Sequence, residues 1–284
     1  MSIRLYADNA CDLDQDLLDQ LGVKLFHMPV TIENQTYRDR LTIDPPEFYH
    51  LISRPGVVPT TAQINPAEFQ QEFEKVMRES DDDIIYIAFS SGLSGTFQSA
   101  CLARDMVDPQ RITVIDSLSA SVGYGLTVIR AARAIAAGKN KGEVIAEIED
   151  NVSRIQHLFI VGNFDMLKRG GRVSAASAAL GNLLNIKLIL HFVDGKIHPL
   201  EKVHGLKKAR RRMLELMEER GYELSRQLIG INHSNDYQGA LELQEMIQAQ
   251  FGCQEFVISE IGAAIGAHVG AGTYSVFFLT PPVK

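Results

Sequence analysis

The sequence predicts an α/β protein, with a mostly parallel sheet covered by helices on both faces in an N-terminal domain and an α+β arrangement in a C-terminal domain. Three observations support this fold class. The 284 residues suffice for about two domains. Short apolar segments alternate with segments of helical periodicity through the first half of the chain. The dipeptide Asp194-Gly195 indicates an antiparallel hairpin in the second half. We place the domain boundary at residue 155, which gives domains 1–155 and 156–284.

The N-terminal domain begins with short apolar strands. The predicted strands are residues 3–7, 25–32, 84–89 and 112–115. The last two are almost entirely apolar, as expected for strands buried on both faces of a parallel sheet. Helices of about 10 and 14 residues are predicted to begin at Asp44-Pro45 and Asn65-Pro66, because a capping oxygen followed by proline favours a helix start. We interpret Asp12 as the cap of an earlier helix. Two more helices contain residues 128–137 and 144–155.

The C-terminal domain mixes both kinds of element. The predicted strands are residues 157–161, 186–193, 196–203, 227–232, 255–259 and 274–279, and the predicted helices are an alanine-rich one near 175–184, then 206–220 and 238–251. The pair of strands around Asp194-Gly195 is the predicted hairpin, so antiparallel pairing begins here.

Composition excludes several classes of protein. The net charge of −7 and the pI of about 5.6 argue against a nucleic-acid ligand, because phosphate backbones require a basic surface. Cys11, Cys101 and Cys253 lie far apart, so neither a disulfide framework nor a zinc site is predicted and a reducing, cytoplasmic location is expected. No metal or cofactor motif is found. The apolar stretch 257–279 includes Glu260 and His268, which argues against an integral membrane protein.

A loop rich in glycine and hydroxyl groups follows the third predicted strand. Residues 90–96 read Ser-Ser-Gly-Leu-Ser-Gly-Thr and lead directly into a helical segment. Such a loop lies at the carboxyl end of a strand, where the helix N-terminus and the hydroxyls of Ser91, Ser94 and Thr96 can bind an anion. A plain helix cap and turn is the alternative. The loop matches neither the Walker A motif nor the nucleophile elbow of hydrolases.

Four other segments offer polar groups in suitable places. Thr61 lies in a loop before a helix, and Ser117 follows another strand at the same edge of the sheet. Arg172 follows two glycines and has the fork-shaped cation suited to an oxyanion. His268 lies among small residues that permit close packing. Each has a non-functional alternative. In the same order, these are a connecting loop, a helix cap, a surface arginine and a structural histidine.

Several segments together resemble the DegV family of bacterial fatty-acid-binding proteins, and the resemblance extends nearly from end to end. The segments are Asp8-Asn9-Ala10-Cys11-Asp12-Leu13, Thr61-Ala62-Gln63, residues 90–96 with Gln98-Ser99-Ala100, Asp116-Ser117, residues 167–172 (Leu-Lys-Arg-Gly-Gly-Arg), 233–236 (His-Ser-Asn-Asp) and 265–270 (Ile-Gly-Ala-His-Val-Gly). Their order and spacing make the set specific.

The resemblance implies a two-domain protein with its lipid site between the domains. One long-chain fatty acid would lie with its tail in an apolar tunnel and its carboxylate near the crevice. Thr61 and Ser94 match the family's carboxylate-binding hydroxyls, with the Gly95 backbone beside them, and Arg172 and His268 match the surrounding polar network. A separate fatty acid kinase would phosphorylate the bound carboxylate, so the protein itself would be a carrier and not an enzyme.

The sequence departs from the family pattern at two places. Thr-Ser-Gln-Pro is replaced by Thr61-Ala62-Gln63-Ile64, and His204 stands where many relatives have arginine. His204 is therefore a further candidate for the head-group network, with a charge that depends on pH. The alternative function is a stand-alone phosphotransferase or hydrolase of small acids that uses the hydroxyl-rich loop and Arg172. That alternative lacks an evident general base, metal cluster or nucleotide loop.

Overall fold

The computed structural model describes residues 2–162, 164–173 and 185–282. The strands are β1 (Ile3–Asp8), β2 (Val23–Phe26), β3 (Pro29–Ile32), β4 (Gln35–Arg38), β5 (Thr60–Thr61), β6 (Asp83–Ala88), β7 (Ile112–Asp116), β8 (Ile155–Ile160), β9 (Ile186–Val193), β10 (Lys196–His204), β11 (Leu228–His233), β12 (Glu255–Glu260) and β13 (Tyr274–Leu279). The helices are α1 (Gln15–Leu21), α2 (Pro45–Ile52), α3 (Pro66–Glu79), α4 (Thr96–Val107), α5 (Ser121–Ala136), α6 (Lys141–Arg154), α7 (Phe164–Arg169), α8 (Leu206–Arg220), α9 (Tyr237–Phe251) and α10 (Ala263–Val269). The predicted alanine-rich helix near 175–184 lies outside the described residues.

A four-stranded parallel sheet forms the centre of the N-terminal half, in the order β2-β1-β6-β7. This confirms the predicted parallel arrangement. The single strand predicted over 25–32 is wrong, because the chain leaves this sheet after β2 and β3 joins a separate antiparallel sheet, β4-β3-β5. The Asn9 side chain accepts a hydrogen bond from the backbone N–H of Met28 (2.7 Å) at the break between the two strands. A tertiary contact therefore lies at the break in a segment that the sequence predicted as one strand.

The predicted proline-led helices are confirmed. Asp44 accepts from the N–H of Glu47 (2.8 Å) at the start of α2, and Asn65 accepts from the N–H of Ala67 (2.9 Å) at the start of α3. The length of α3 is the predicted 14 residues, whereas α2 has 8. Both caps thus satisfy backbone donors that a helix start leaves without partners.

A six-stranded mixed sheet forms the C-terminal half, in the order β10-β9-β8-β13-β11-β12. The predicted hairpin is confirmed, with Val193 opposite Lys196 and positive φ angles at Asp194 (49°) and Gly195 (73°). Side chains alternate between the two faces of β8. Leu158 packs into a core beneath α8 and α9, whereas Phe159 packs into the larger core shared with the N-terminal half.

The two halves share buried surface. Val122 and Tyr124 of α5 belong to the same hydrophobic core as Phe159 and Phe277 of the C-terminal sheet. The strands of the two N-terminal sheets all precede residue 155, and the strands of the C-terminal sheet begin at that residue. The domain boundary at 155 stays a prediction.

The predicted helix-capping role of Asp12 is wrong. Asp14 occupies the cap position of α1, whereas Asp12 is fully buried and accepts from the backbone N–H of Gly262 (2.8 Å) and from the Ser121 hydroxyl. Its carboxylate also lies 3.6 Å from the Arg40 guanidinium. The Asp12 side chain therefore connects distant segments of the chain and does not cap the adjacent helix.

Candidate ligand-binding site

A cavity lies where the loops of the parallel sheet meet α10 and the inner face of the C-terminal sheet. It encloses about 890 Å³ that protein atoms do not fill, part of it continuous with solvent. Most of the wall is apolar and comes from both halves of the chain: Ala62, Phe89, Leu93, Ala120, Phe159, Leu167, Phe192, Ile197, Ile261, Ala264, Ile265, Val269 and Phe277. Such a wall favours an apolar ligand over water, because each buried water needs two to four polar partners.

One end of the cavity is polar, and all five principal residues predicted from the sequence line it: Thr61, Ser94, Gly95, Arg172 and His268. The Thr61 hydroxyl lies 2.8 Å from His268 Nε2. Thr61 is held in place by β5, where it pairs with Val30, and His268 lies in the last turn of α10. The fold thus brings together two polar groups that are 207 residues apart in sequence.

Ser94 and Gly95 belong to the loop before α4. The Ser94 hydroxyl lies 2.9 Å from the Thr96 hydroxyl and accepts from the Thr96 N–H (3.2 Å). A side chain at Gly95 would collide with the Gln63 side chain. Glycine therefore lets the loop pack against residues 61–63, and the two predicted binding segments form one wall.

Arg172 and Gly170 complete this end of the cavity. The Arg172 guanidinium donates to the carbonyl of Leu93 (3.3 Å) and to the carbonyl of Gly170. A Cβ at Gly170 would collide with His268 Nδ1. Burial, and secondarily the positive charge of Arg172, lower the pKa of His268 to about 4. His268 is therefore neutral at pH 7, and the permanent positive charge at this end comes from Arg172.

The further candidates do not line the cavity. Thr96 is buried and accepts from the N–H of Ile64 (3.3 Å). The Ser117 hydroxyl donates to the carbonyl of Ser119 (3.2 Å). The backbone N–H of Ser91 donates to Asp116 (3.1 Å). The hydrogen bonds of these three residues hold the loop 90–96 and the loop after β7 in shape. This matches the alternative given above for these positions, a helix cap or turn.

The structure places His204 outside the lining of this cavity. His204 is exposed at the end of β10, opposite Ile186, whereas Ile197 is the residue of that strand that lines the cavity. The seven residue steps from Ile197 to His204 span about 23 Å of strand. The family pattern did not reveal that this position lies at the far end of the hairpin.

Sequence reasoning missed His157, which lines the cavity on β8. Its Nε2 atom lies 2.6 Å from the Ser119 hydroxyl, and its ring stacks on Phe192 with centroids 4.3 Å apart. Burial lowers the pKa of His157 to about 3. A histidine within a mostly apolar strand, Ile-Gln-His-Leu-Phe-Ile, was the available signal.

Within residues 2–162, 164–173 and 185–282, no group of three or more His, Cys, Asp or Glu side chains is placed to hold a metal ion. No helix in that same part of the chain is long and apolar enough to cross a bilayer.

Comparison with known proteins identifies the family. The family model described as "Uncharacterised protein, DegV family" matches residues 2–281. A DegV domain-containing protein of Caldanaerobacter subterraneus subsp. tengcongensis is 35% identical over 276 residues, which cover 97% of this chain and 98% of that protein. Protein DegV of Bacillus subtilis is 32% identical over 277 residues, covering 97% of this chain and 98% of that protein. The chain therefore belongs to the DegV family, as the sequence motifs indicated.

Solved structures of relatives share the whole fold. A DegV family protein from Thermus thermophilus, described by its fatty acid binding, has a TM-score of 0.90 and 34% identity, with 99% of this chain and 100% of that chain covered. DegV from Bacillus subtilis, described as a fatty acid binding protein, has a TM-score of 0.88 and 32% identity, with 99% of both chains covered. The mixed α/β fold with a parallel sheet and a second, sheet-rich half is thus confirmed.

Proposed function

We propose that this protein binds one long-chain fatty acid, with its tail in the apolar part of the cavity and its carboxylate at the polar end. The observation that carries the proposal is the division of a single cavity into an apolar wall and a polar cluster of Thr61, Ser94, Arg172 and His268. An amphipathic molecule with a long tail and a small anionic head matches that division. The fatty acid binding described for two relatives above 30% identity supports it.

The two hydroxyls at the polar end are free to donate to a carboxylate. If the neutral His268 ring donates its Nε2–H to the Thr61 oxygen, the Thr61 proton is left for the ligand. Thr96 accepts from a backbone N–H, and if its own hydroxyl donates to Ser94, the Ser94 proton is likewise left for the ligand. His268 thereby orients the Thr61 hydroxyl, and Thr96 the Ser94 hydroxyl, to donate into the cavity.

The tail is the main source of affinity. The 14 methylenes of a sixteen-carbon chain contribute about 11 kcal/mol at ~0.8 kcal/mol each, before the cost of association. A neutral hydrogen bond contributes about 1 kcal/mol. The polar cluster therefore acts mainly on orientation and keeps the carboxylate beside the exposed Arg172.

Lipid extraction tests the proposal directly. Protein purified from bacterial cells and extracted under denaturing conditions is expected to yield about one long acyl chain per chain of protein, measured by mass spectrometry. A cavity with this wall is costly to leave wet. Protein that is free of lipid and also shows no thermal shift with added palmitate would contradict fatty acid binding.

We also propose that the carboxylate is presented to a separate fatty acid kinase and that this chain is the carrier in that reaction, in the cytoplasm. Among the described residues that line the cavity there is no aspartate or glutamate, and both lining histidines have lowered pKa values. The stand-alone phosphotransferase or hydrolase therefore lacks a carboxylate base in the cavity. Acyl phosphate is expected from palmitate and ATP with a kinase present, and formation by this protein alone would contradict the carrier role.

A further inference from the structure

A buried row of three polar side chains crosses the contact between the two halves of the protein. The Ser121 hydroxyl, at the start of α5, contacts Oδ2 of Asp12 on one side and lies 2.7 Å from Oδ1 of Asn232 in β11 on the other. Asp12 and Asn232 are fully buried, and Ser121 is nearly so. Because Asn232 belongs to the C-terminal half and the other two residues to the N-terminal half, the Asp12–Ser121–Asn232 row connects the halves that enclose the cavity.

Two backbone groups set the orientation of the Asn232 amide. The N–H of Val122 donates to Oδ1 of Asn232 (3.3 Å), and Nδ2 of Asn232 donates to the carbonyl of Ser259 (3.3 Å). Exchanging the two ends of the amide would bring two donors together at Val122 and two acceptors together at Ser259. The Asn232 atom that faces Ser121 is therefore an acceptor.

The row lacks one proton when Asp12 is ionised. A serine hydroxyl has a single proton and an ionised carboxylate has none, yet Ser121 lies between two acceptor oxygens. If Ser121 donates to Asp12, the direction that an ionised carboxylate requires, its oxygen faces Oδ1 of Asn232 with no proton between them. If Oδ2 of Asp12 carries a proton, Asp12 donates to Ser121 and Ser121 donates to Asn232. Both contacts are then hydrogen bonds.

The charges around Asp12 favour the same protonated state. The Arg40 guanidinium lies 3.6 Å from Asp12 and 3.7 Å from Asp14, and it donates to the backbone carbonyl of Glu260. The negative charge of Asp39 also acts on Arg40, and Oδ1 of Asp39 is buried without a hydrogen bond in the described part of the chain. One guanidinium is thus shared among several carboxyl groups, and a protonated Asp12 leaves its positive charge to balance Asp39. Burial, opposed by Arg40, raises the pKa of Asp12 to about 7.

The other titratable groups of the described residues bring no second cation against Asp12 at pH 7. Burial raises the pKa values of Cys11 and Tyr49 and lowers that of His233, so these three groups are neutral. Burial also raises the pKa of Glu260. The His27 ring lies 2.9 Å from the backbone carbonyl of Asp39. The first turns of α5 (Ser-Val-Gly-Tyr) and α10 (Ala-Ala-Ile-Gly) carry no charged side chain.

We propose that Asp12 holds a proton while the two halves are in contact, so that the Asp12–Ser121–Asn232 row is a pH-dependent latch between the halves, tighter at pH 5 than at pH 7. This inference goes beyond fatty acid binding and does not depend on it. When the contact is lost on unfolding, Asp12 meets water and releases the proton, because an exposed aspartate has a pKa of about 3.9. The stabilisation is therefore fully present below about pH 4 and is lost as the pH rises through the raised pKa of about 7.

Urea unfolding of protein stripped of lipid, between pH 5 and pH 9, tests the latch by comparison with Asp12→Asn. An asparagine amide keeps a donor to Ser121 and an acceptor for the N–H of Gly262 at every pH. The unfolding constant of the natural protein, divided by that of Asp12→Asn at the same pH, is expected to rise about 10- to 100-fold from pH 5 to pH 7 and to level off above about pH 8. Asp14→Asn is the matched control, because it removes an exposed carboxylate 3.7 Å from Arg40 without changing the row. It is expected to keep the natural pH dependence.

The carbon-13 resonance of the Asp12 carboxyl group in the natural protein is a second measurement, which needs no variant to fold. Its titration midpoint is expected above about pH 6. A midpoint at or below about pH 4, the ordinary range of aspartate, or a ratio of unfolding constants that stays the same from pH 5 to pH 7, would overturn the latch and show that Asp12 is ionised in the contact. Loss of the pH dependence in Asp14→Asn as complete as in Asp12→Asn would also overturn it, because the dependence would then come from the charge of the whole cluster. No ligand enters either measurement, so neither outcome bears on the proposed fatty acid function.

Discussion

Removal of the two head-group hydroxyls in Thr61→Ala with Ser94→Ala is expected to weaken fatty acid binding without abolishing it. The Thr61 and Ser94 hydroxyls each supply one neutral hydrogen-bond donor to the carboxylate. A donor of this kind contributes about 0.5 to 1.5 kcal/mol to the binding free energy. The loss of both therefore amounts to about 1 to 3 kcal/mol, or roughly 5- to 150-fold in Kd. The tail contribution of about 11 kcal/mol is unchanged, so the variant still binds palmitate.

The single variant Thr61→Ala has a second effect that the structure predicts. It removes the 2.8 Å partner of His268 Nε2, and His268 Nδ1 already has no partner within the described residues. We expect a loss of about 1 kcal/mol or more in the free energy of unfolding of the ligand-free protein, because a half-buried ring is left unpaired. Thr61→Ser keeps the hydroxyl and is the matched control.

The assay compares palmitate with its methyl ester by isothermal titration calorimetry. The natural protein is expected to prefer the acid, and the double variant to lose most of that preference, because the hydroxyls donate more strongly to a carboxylate than to an ester. An equal loss of affinity for both ligands would show that the hydroxyls support only the shape of the cavity. An unchanged affinity for palmitate would refute the assignment of the head group to this end.

Three further predictions concern other residues. Gly123→Ala is expected to lower the free energy of unfolding by about 1 to 3 kcal/mol in urea titrations, since the added Cβ would lie 2.6 Å from two packed rings; no change would show that α5 shifts freely. The pKa of His157 is lowered to about 3 in the folded state, so the unfolded chain binds the extra proton and stability falls with falling pH below about 6.5. His157→Phe should make this fall shallower by about 1.5 to 2 kcal/mol between pH 6.5 and 5, and parallel urea profiles for the two proteins would contradict the buried neutral ring. His204→Arg is expected to leave palmitate affinity unchanged from pH 6 to 8, because the residue lies about 23 Å along the strand from the cavity; a variant that flattened a pH dependence would restore His204 to the site.

The parts of the fold that the sequence predicted well have local signals. The hairpin at Asp194-Gly195 needs only two residues with positive φ, and α8 occupies Leu206–Arg220 as its periodicity predicted. The proline-led caps of α2 and α3 are equally local. Periodicity and turn chemistry suffice where neighbours along the chain determine the structure.

The predictions that were wrong or missing concern residues whose surroundings come from distant segments of the chain. The carboxylate of Asp12 looked like a helix cap, yet its partners include Gly262, 250 residues away. His157 showed no ligand spacing, because its environment is built by Ser119, Phe192 and Phe277 from three other segments. The five principal site residues were placed together by family resemblance, since no spacing rule relates Thr61 to His268.

Helix α10 explains how such distant segments produce one site. Its first turn is held by carboxylates from the N-terminal half: Asp12 accepts from the N–H of Gly262 and Asp39 from the N–H of Ala264, each at 2.8 Å. Negative charge is favourable at the start of a helix, where backbone donors lack partners. A Cβ at Gly262 would lie 2.8 Å from Asp39 Oδ2, so glycine permits this approach. The last turn carries His268, which meets Thr61 of the same half. Because both ends of α10 contact the N-terminal half, the orientation of His268 depends on the contact between the two halves that encloses the cavity.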